Sequence, residues 1–266
     1  MNKKFRIGGI IAALIVSAVI LTSPSNPPPI PEPILDNAKN QFIEILAINL
    51  EKPWSIDFAD DRIFISEKGG TIRVIDSEKL LDEPLVTLRT ANVFDGGLLG
   101  IALHPNFAEN NFLYAYYTYT EDGELWNKVI QIKESNNKII NATTILDKIP
   151  GSSFSNGGII KFGPDSKLYI GTGSVSDFSH ESQNLESLEG KILRLNDDGS
   201  IPDDNPFEDS PVYSYGHRNP KGMAWDMTET FYVTELGPSK NDEINIIIPG
   251  KNYGWPNVQC YSNNVE

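Results

Sequence analysis

The chain has 266 residues, with 22 basic side chains against 36 acidic ones and a formal charge of −14. An apolar fraction of 39% with 10% aromatics supplies a real core and excludes a disordered chain. The acidic balance repels phosphate backbones and argues against nucleic-acid binding. A single cysteine, Cys260, leaves no internal disulfide to form.

In chain order, Lys3, Lys4 and Arg6 precede an uncharged apolar run, IGGIIAALIVSAVILT, over residues 7–22. The run is short for a spanning helix and suits a signal h-region, so residues 1–22 read as a signal peptide or an N-terminal membrane anchor. Either reading places the body outside the cytoplasm, secreted or anchored. Residues 23–41 follow as a Pro-rich linker (SPSNPPPIPEPIL at its start), too rich in proline for helix or sheet.

From residue 42 the pattern changes to short runs rich in Val, Ile, Tyr and Phe, broken by Gly, Asn, Asp and Pro. RIFISE (62–67), TIRVID (71–76), FLYAYYTYT (112–120), KLYIGTG (167–173) and KILRLN (191–196) read as half-buried strands. ESQNLESLEG has room for one helical turn. Four stretches repeat an apolar strand, a polar turn and an aromatic-tipped strand, opening at Trp54, Gly100, Gly158 and Gly222. An all-β unit recurring at this period predicts a β-propeller of four-stranded antiparallel blades, with a β-sandwich of similar hairpins as the competing reading. Residues 42–266 are expected to hold about four blades of a partial propeller.

The segment from Tyr213 to Pro256 concentrates the chemistry: YSYGHRNPKGMAW, then TELGPSKNDEIN, then GKNYGWP. Glycines and prolines that expose backbone, an Arg-Asn pair, adjacent carboxylates and aromatics suit a polar ligand or metal site on a rigid β scaffold. Together with GGLLGIALHPNFAENNFLYAYYT, NGGIIKFGPDSKLYIGTG and LEGKILRLNDDGSIPDDNPF, in this order, the motifs resemble the glucose/sorbosone dehydrogenase family, the soluble quinoprotein sugar dehydrogenases. The resemblance implies a six-bladed propeller with pyrroloquinoline quinone (PQQ) at the mouth of its axis. It implies oxidation of a sugar at its anomeric carbon, with Ca2+ as Lewis acid. Arg218 and Asn219 match the cofactor-contacting pair, with Asp95 at a third cofactor position. Gly237 and Pro238 match the carbonyls that hold the catalytic calcium; Glu243, Tyr253, Gln259, Tyr261 and Asn263 fall on a second calcium site.

The departures from that pattern are specific. Ser155, in FSNGG, stands where the family places its catalytic base, a histidine. Lys221 stands where a Gln is usual, Leu236 where a His often precedes the Gly-Pro, Asp95 where a longer Gln or Glu reaches the site, and Asn263 where an Asp is usual. Four blades against six leave open blade flanks, so the arc is expected to be cut short, completed by a partner chain or by self-association, or closed into a smaller ring. The last blades' cationic clamp for the PQQ carboxylates has no counterpart, and the acidic balance implies a poor seat for that ligand. The expectation is therefore an impaired aldose sugar dehydrogenase; the alternative is a non-catalytic extracytoplasmic binding propeller or a degenerate fragment. His104, His180 and His217 are the chain's three histidines, and only His180 lies in a loop free to lean over the channel.

Overall fold

A computed structural model describes residues 44–176 and 180–259. The apolar segment 1–22, the linker 23–41, Cys260, Tyr261 and Asn263 lie outside these residues. Among the described residues no helix is long and apolar enough to cross a membrane.

The described chain is almost entirely β, in four antiparallel sheets that form the blades of a propeller. Blade 1 comprises β1 (Pro53–Ala59), β2 (Arg62–Glu67), β3 (Thr71–Asp76) and β4 (Lys79–Leu80), with β5 (Val86–Thr87) also pairing β3. Blade 2 comprises β6 (Leu98–Leu103), β7 (Phe112–Glu121), β8 (Glu124–Ser135) and β9 (Lys138–Pro150). Blade 3 holds β10 (Gly157–Phe162), β11 (Leu168–Thr172), β12 (Lys191–Leu195) and β13 (Val212–Tyr215). Blade 4 holds β14 (Pro220–Trp225), β15 (Phe231–Glu235) and β16 (Glu243–Ile246). The β6–β7 connection carries one helical turn, α1 (Phe107–Asn110), and a 3-10 turn covers Glu181–Gln183.

The four repeat openings read from the sequence fall in β1, β6, β10 and β14, the first strand of each blade. These strands follow one another around the axis, β1 against β6, β6 against β10 and β10 against β14. They are joined by side chains rather than by a shared ladder. Asp57 Oδ2 accepts the Leu103 N–H at 2.7 Å, tying β1 to β6. Asn219 Oδ1 accepts the Gly157 N–H at 2.9 Å, tying the entry to β14 to β10. β6 and β10 approach so closely that a Cβ on Gly100 would stand 2.1 Å from the Gly158 carbonyl oxygen.

Alternation of side chains fills the gaps between blades. Leu113 and Ala115 of β7 join Phe64, Ile72 and Val74 of blade 1 in one core cluster. Tyr114 and Tyr116, pointing the other way, join Ile160, Leu168 and Leu193 of blade 3. Tyr169 and Ile192 leave blade 3 on its far face to meet Met223, Phe231 and Val233 of blade 4. Blades 2 and 3 are thus covered on both faces, which is why β6, β11 and β12 are buried throughout. The outer face of blade 1 leaves Trp54, Ile56 and Phe58 exposed, and that of blade 4 leaves Ile244 and Ile246 exposed.

Candidate functional site

Three segments of blades 3 and 4 meet around one small cavity: residues 216–218, residues 235–243 and the stretch to Gln259. The last stretch is held beside β13 by a parallel bridge between Tyr215 and Asn252, and by Trp255 N–H to Gly216 O at 2.9 Å. Arg218, Gly237, Pro238, Glu243, Tyr253 and Gln259 are among the lining residues, with Glu235, Asn241 and Trp255. The enclosed space, about 20 Å³, is that of one water or one ion.

Below the cavity the polar groups are locked. His217 is fully buried, 2.8 Å from Ser214 Oγ through Nε2 and 2.5 Å from Glu235 Oε1 through Nδ1, and stacks on Tyr253. Burial pushes the Glu235 carboxyl up, but the His217 ring, the Arg218 N–H and the Asn245 amide outweigh it and hold it below its ordinary range. One guanidinium nitrogen of Arg218 donates to both the Leu236 and the Gly237 carbonyl oxygens at 2.9 Å, and the group lies 5.3 Å from the Trp255 ring. A positive group therefore already sits on a carbonyl pair that the motif assigns to a metal. Among the described residues no three His, Cys, Asp or Glu side chains cluster to hold a metal. Carbonyls, the Glu243 carboxylate and the Gln259 amide are hard oxygen donors that fit Ca2+ rather than a softer metal.

A second arrangement lies at the mouth of the axis. Lys221, at the start of β14, donates to both Asp95 oxygens at 3.2 Å and to Gly157 O at 3.1 Å, and its ammonium lies 5.9 Å from the Trp54 ring. One side chain thus reaches blade 1, the entry to blade 2 and blade 3. Burial pushes the Lys221 ammonium down; Asp95 opposes this, while Lys68 and Arg218 add to it. The mouth is accordingly richer in cations than the charge of −14 implied, because that sum says nothing about which side chains turn inward.

The residues singled out from the sequence separate into these two places. Gly237, Pro238, Glu243, Tyr253 and Gln259 come together around the cavity with Arg218. Asp95 stands at the mouth, where its backbone N–H donates to Ser153 O and its carboxylate accepts the Asn156 N–H. Ser155 lies in the same loop, nearly buried, with a left-handed backbone (φ 56°). Asn219 is buried, its side-chain oxygen spent on blade 3. His104 is engaged by the Asn106 N–H and lies 3.4 Å from Asp197, and His180 caps the 3-10 turn in an exposed position. The reading of the sequence missed the Lys221–Asp95 pair, whose partners are 126 residues apart. The signal was a lysine and an aspartate each departing from the family's usual amide or longer acid.

This propeller, with a carbonyl-lined ion cavity beside a cation-bearing axis, defines a protein of the quinoprotein sugar dehydrogenase type. The family model for Glucose / Sorbosone dehydrogenase matches residues 50–265, and the chain belongs to that family. Aldose sugar dehydrogenase YliI of Escherichia coli is 34% identical over 228 residues, covering 80% of this chain and 61% of its own length. Quinoprotein glucose dehydrogenase B of Acinetobacter calcoaceticus is 33% identical over 255 residues, covering 82% of this chain and 53% of its own. The PQQ-bound form of aldose sugar dehydrogenase from Streptomyces coelicolor superposes with a TM-score of 0.74 at 38% identity, covering 81% of this chain and 66% of that one. The chain spans little more than half the length of the two curated relatives.

Proposed function

We propose that this chain carries the calcium- and quinone-holding face of a PQQ-dependent aldose sugar dehydrogenase, acting outside the cytoplasm, with its proton-accepting step weakened. The supporting observation is the convergence of Arg218, Gly237, Pro238, Glu243, Tyr253 and Gln259 on one ion-sized cavity. When bound, PQQ supplies the two-electron acceptor for the sugar's hydride and Ca2+ supplies Lewis acidity. The chain's own part is to hold and orient. The Arg218 guanidinium offers paired donors to carboxylate or quinone oxygens, and the Leu236 and Gly237 carbonyls with Glu243 offer oxygens to the cation. Arg218 and a cation compete for the same carbonyls, so filling the cavity frees the guanidinium. Ser155 is a poor proton acceptor near neutral pH, and loss of a general base lowers turnover by about 10²–10⁴-fold.

Calcium titration of the purified chain, followed by Trp255 emission and melting temperature, tests the cavity. Calcium is expected to raise the melting temperature and change emission, and Glu243→Gln to weaken its binding about tenfold. Glucose-driven dye reduction with added PQQ and calcium is expected to be slow and to rise in Ser155→His. No thermal response to calcium and no PQQ binding would overturn the assignment. A second reading, a non-catalytic binding propeller, is favoured by Ser155 and by the engagement of His104 and His217. Calcium-dependent stabilisation without turnover, even in Ser155→His, would select it. The apolar outer faces of blades 1 and 4 are proposed to associate with a partner chain or with each other.

A further inference from the structure

A separate cleft opens on the blade 1 side of the mouth, and nothing described so far uses it. Lys52, Trp54, Lys68, Asn92, Val93 and Phe94 line it, and it encloses about 590 Å³, within the range of small-molecule sites. Two large aromatic side chains are held open here: Trp54 is 45% exposed and Phe94 77%. Phe94 is propped by Phe154, their rings 5.0 Å apart and tilted by 45°. The Lys68 ammonium lies 5.2 Å from the Trp54 ring, and that of Lys221 lies 5.9 Å from the same ring.

The lysines are placed by the backbone. The Lys68 N–H donates to Lys52 O at 3.1 Å, and the Lys68 ammonium donates to Phe94 O, pinning the β2–β3 turn to the segment that carries Phe94. No carboxylate is among the lining residues. Neighbouring acids are committed elsewhere: Glu67 accepts the Glu51 N–H at 2.6 Å and the Thr71 hydroxyl at 2.7 Å, and Asp95 is held by Lys221. In a chain of charge −14, a cleft with cations, open rings and no lining acid is a local inversion of the surface.

We propose that this cleft binds a planar aromatic ligand bearing carboxylates, stacked between Trp54 and Phe94 with its acids against Lys52 and Lys68. Stacking on an aromatic face is tolerant of ring identity, while the ammonium groups select for negative charge. The site lies on a different blade from the Arg218 cavity and goes beyond the activity proposed above.

The test uses the full chain without calcium or PQQ, so its outcome does not depend on the dehydrogenase reading. Naphthalene-2,6-dicarboxylate is titrated against tryptophan emission, with naphthalene-2,6-dimethanol as the uncharged counterpart. Saturable quenching by the dicarboxylate is expected, about tenfold weaker in Trp54→Ala and again in the double variant Lys52→Met, Lys68→Met, which should also lose the salt dependence. Phe94→Ala, at a more exposed position, gives a second variant with little risk to folding; circular dichroism verifies each. Equal affinity for the dimethanol, or unchanged affinity in both aromatic variants, would overturn the proposal. So would a probe affinity that weakens as protein concentration rises, since a second copy would then occupy the cleft.

Discussion

Lys191 carries its ammonium to a place with no solvent, where it donates to the main-chain oxygens of Glu181 at 2.9 Å, Ser182 at 3.0 Å and Glu189. Burial lowers its pKa to about 8, with Glu189 and Glu181 opposing the shift. The unfolded chain holds that proton up to about pH 10.4. Unfolding therefore takes up a proton between these values, and this side chain's contribution to stability rises with pH across that window. Comparing denaturant midpoints of the wild type and Lys191→Met from pH 7 to 10.5 should show a gap that widens as pH rises. Leaving buried carbonyls without a donor should cost the variant about 1–3 kcal/mol at neutral pH. The effect reaches the site, because the turn that Lys191 supports presents Ser182 Oγ and Gln183 Nε2 to Trp255 O, on the cavity wall. At this scale the sequence showed residue types and little else. Arg218 and Gly237 were readable as members of a motif, but the guanidinium's seat on the Leu236 and Gly237 carbonyls depends on a chain reversal that no local pattern encodes.

Strand contacts set the next level. The first strands of neighbouring blades meet through glycine and through single polar side chains, so each contact has little slack. Gly100→Ala would drive a methyl group into the Gly158 carbonyl. Overpacking of this kind costs about 1–3 kcal/mol, and Asn219→Ala, which leaves the Gly157 N–H without its acceptor, should cost a similar amount. Thermal melts of the two single variants check this; unchanged midpoints would mean the first strands are looser than drawn. Strands buried on one or both faces were legible because apolar β-branched and aromatic residues concentrate in them: RIFISE and TIRVID coincide with β2 and β3. β8 and β9 escaped notice. Their hairpin runs from Glu124 to Pro150, and β9 is exposed along most of its length, so Asn, Thr and Lys fill it and the apolar contrast that marks a strand is missing.

For the whole molecule, the exposed Ile56 and Phe58 on one side and Ile244 and Ile246 on the other are the surfaces with most to gain from a neighbour. Sedimentation at micromolar concentration should show a species larger than the monomer, and Ile56→Lys with Phe58→Lys should shift it toward the monomer. A strictly monomeric wild type would remove this expectation. The propeller class was legible because its repeat recurs in register along the chain. The number of cations at its mouth was not, since Lys68, Lys221 and Arg218 meet only once blades 1 and 4 are folded about one axis. One property of the architecture reaches past energetics. Every sheet is threaded from an uninterrupted stretch of chain and lends no strand to another. A gene of this design can gain or shed a whole sheet by one in-frame duplication or deletion, with no rethreading of the remainder. Variation in blade number is then a single genetic step, and the joints between blades decide which products survive it.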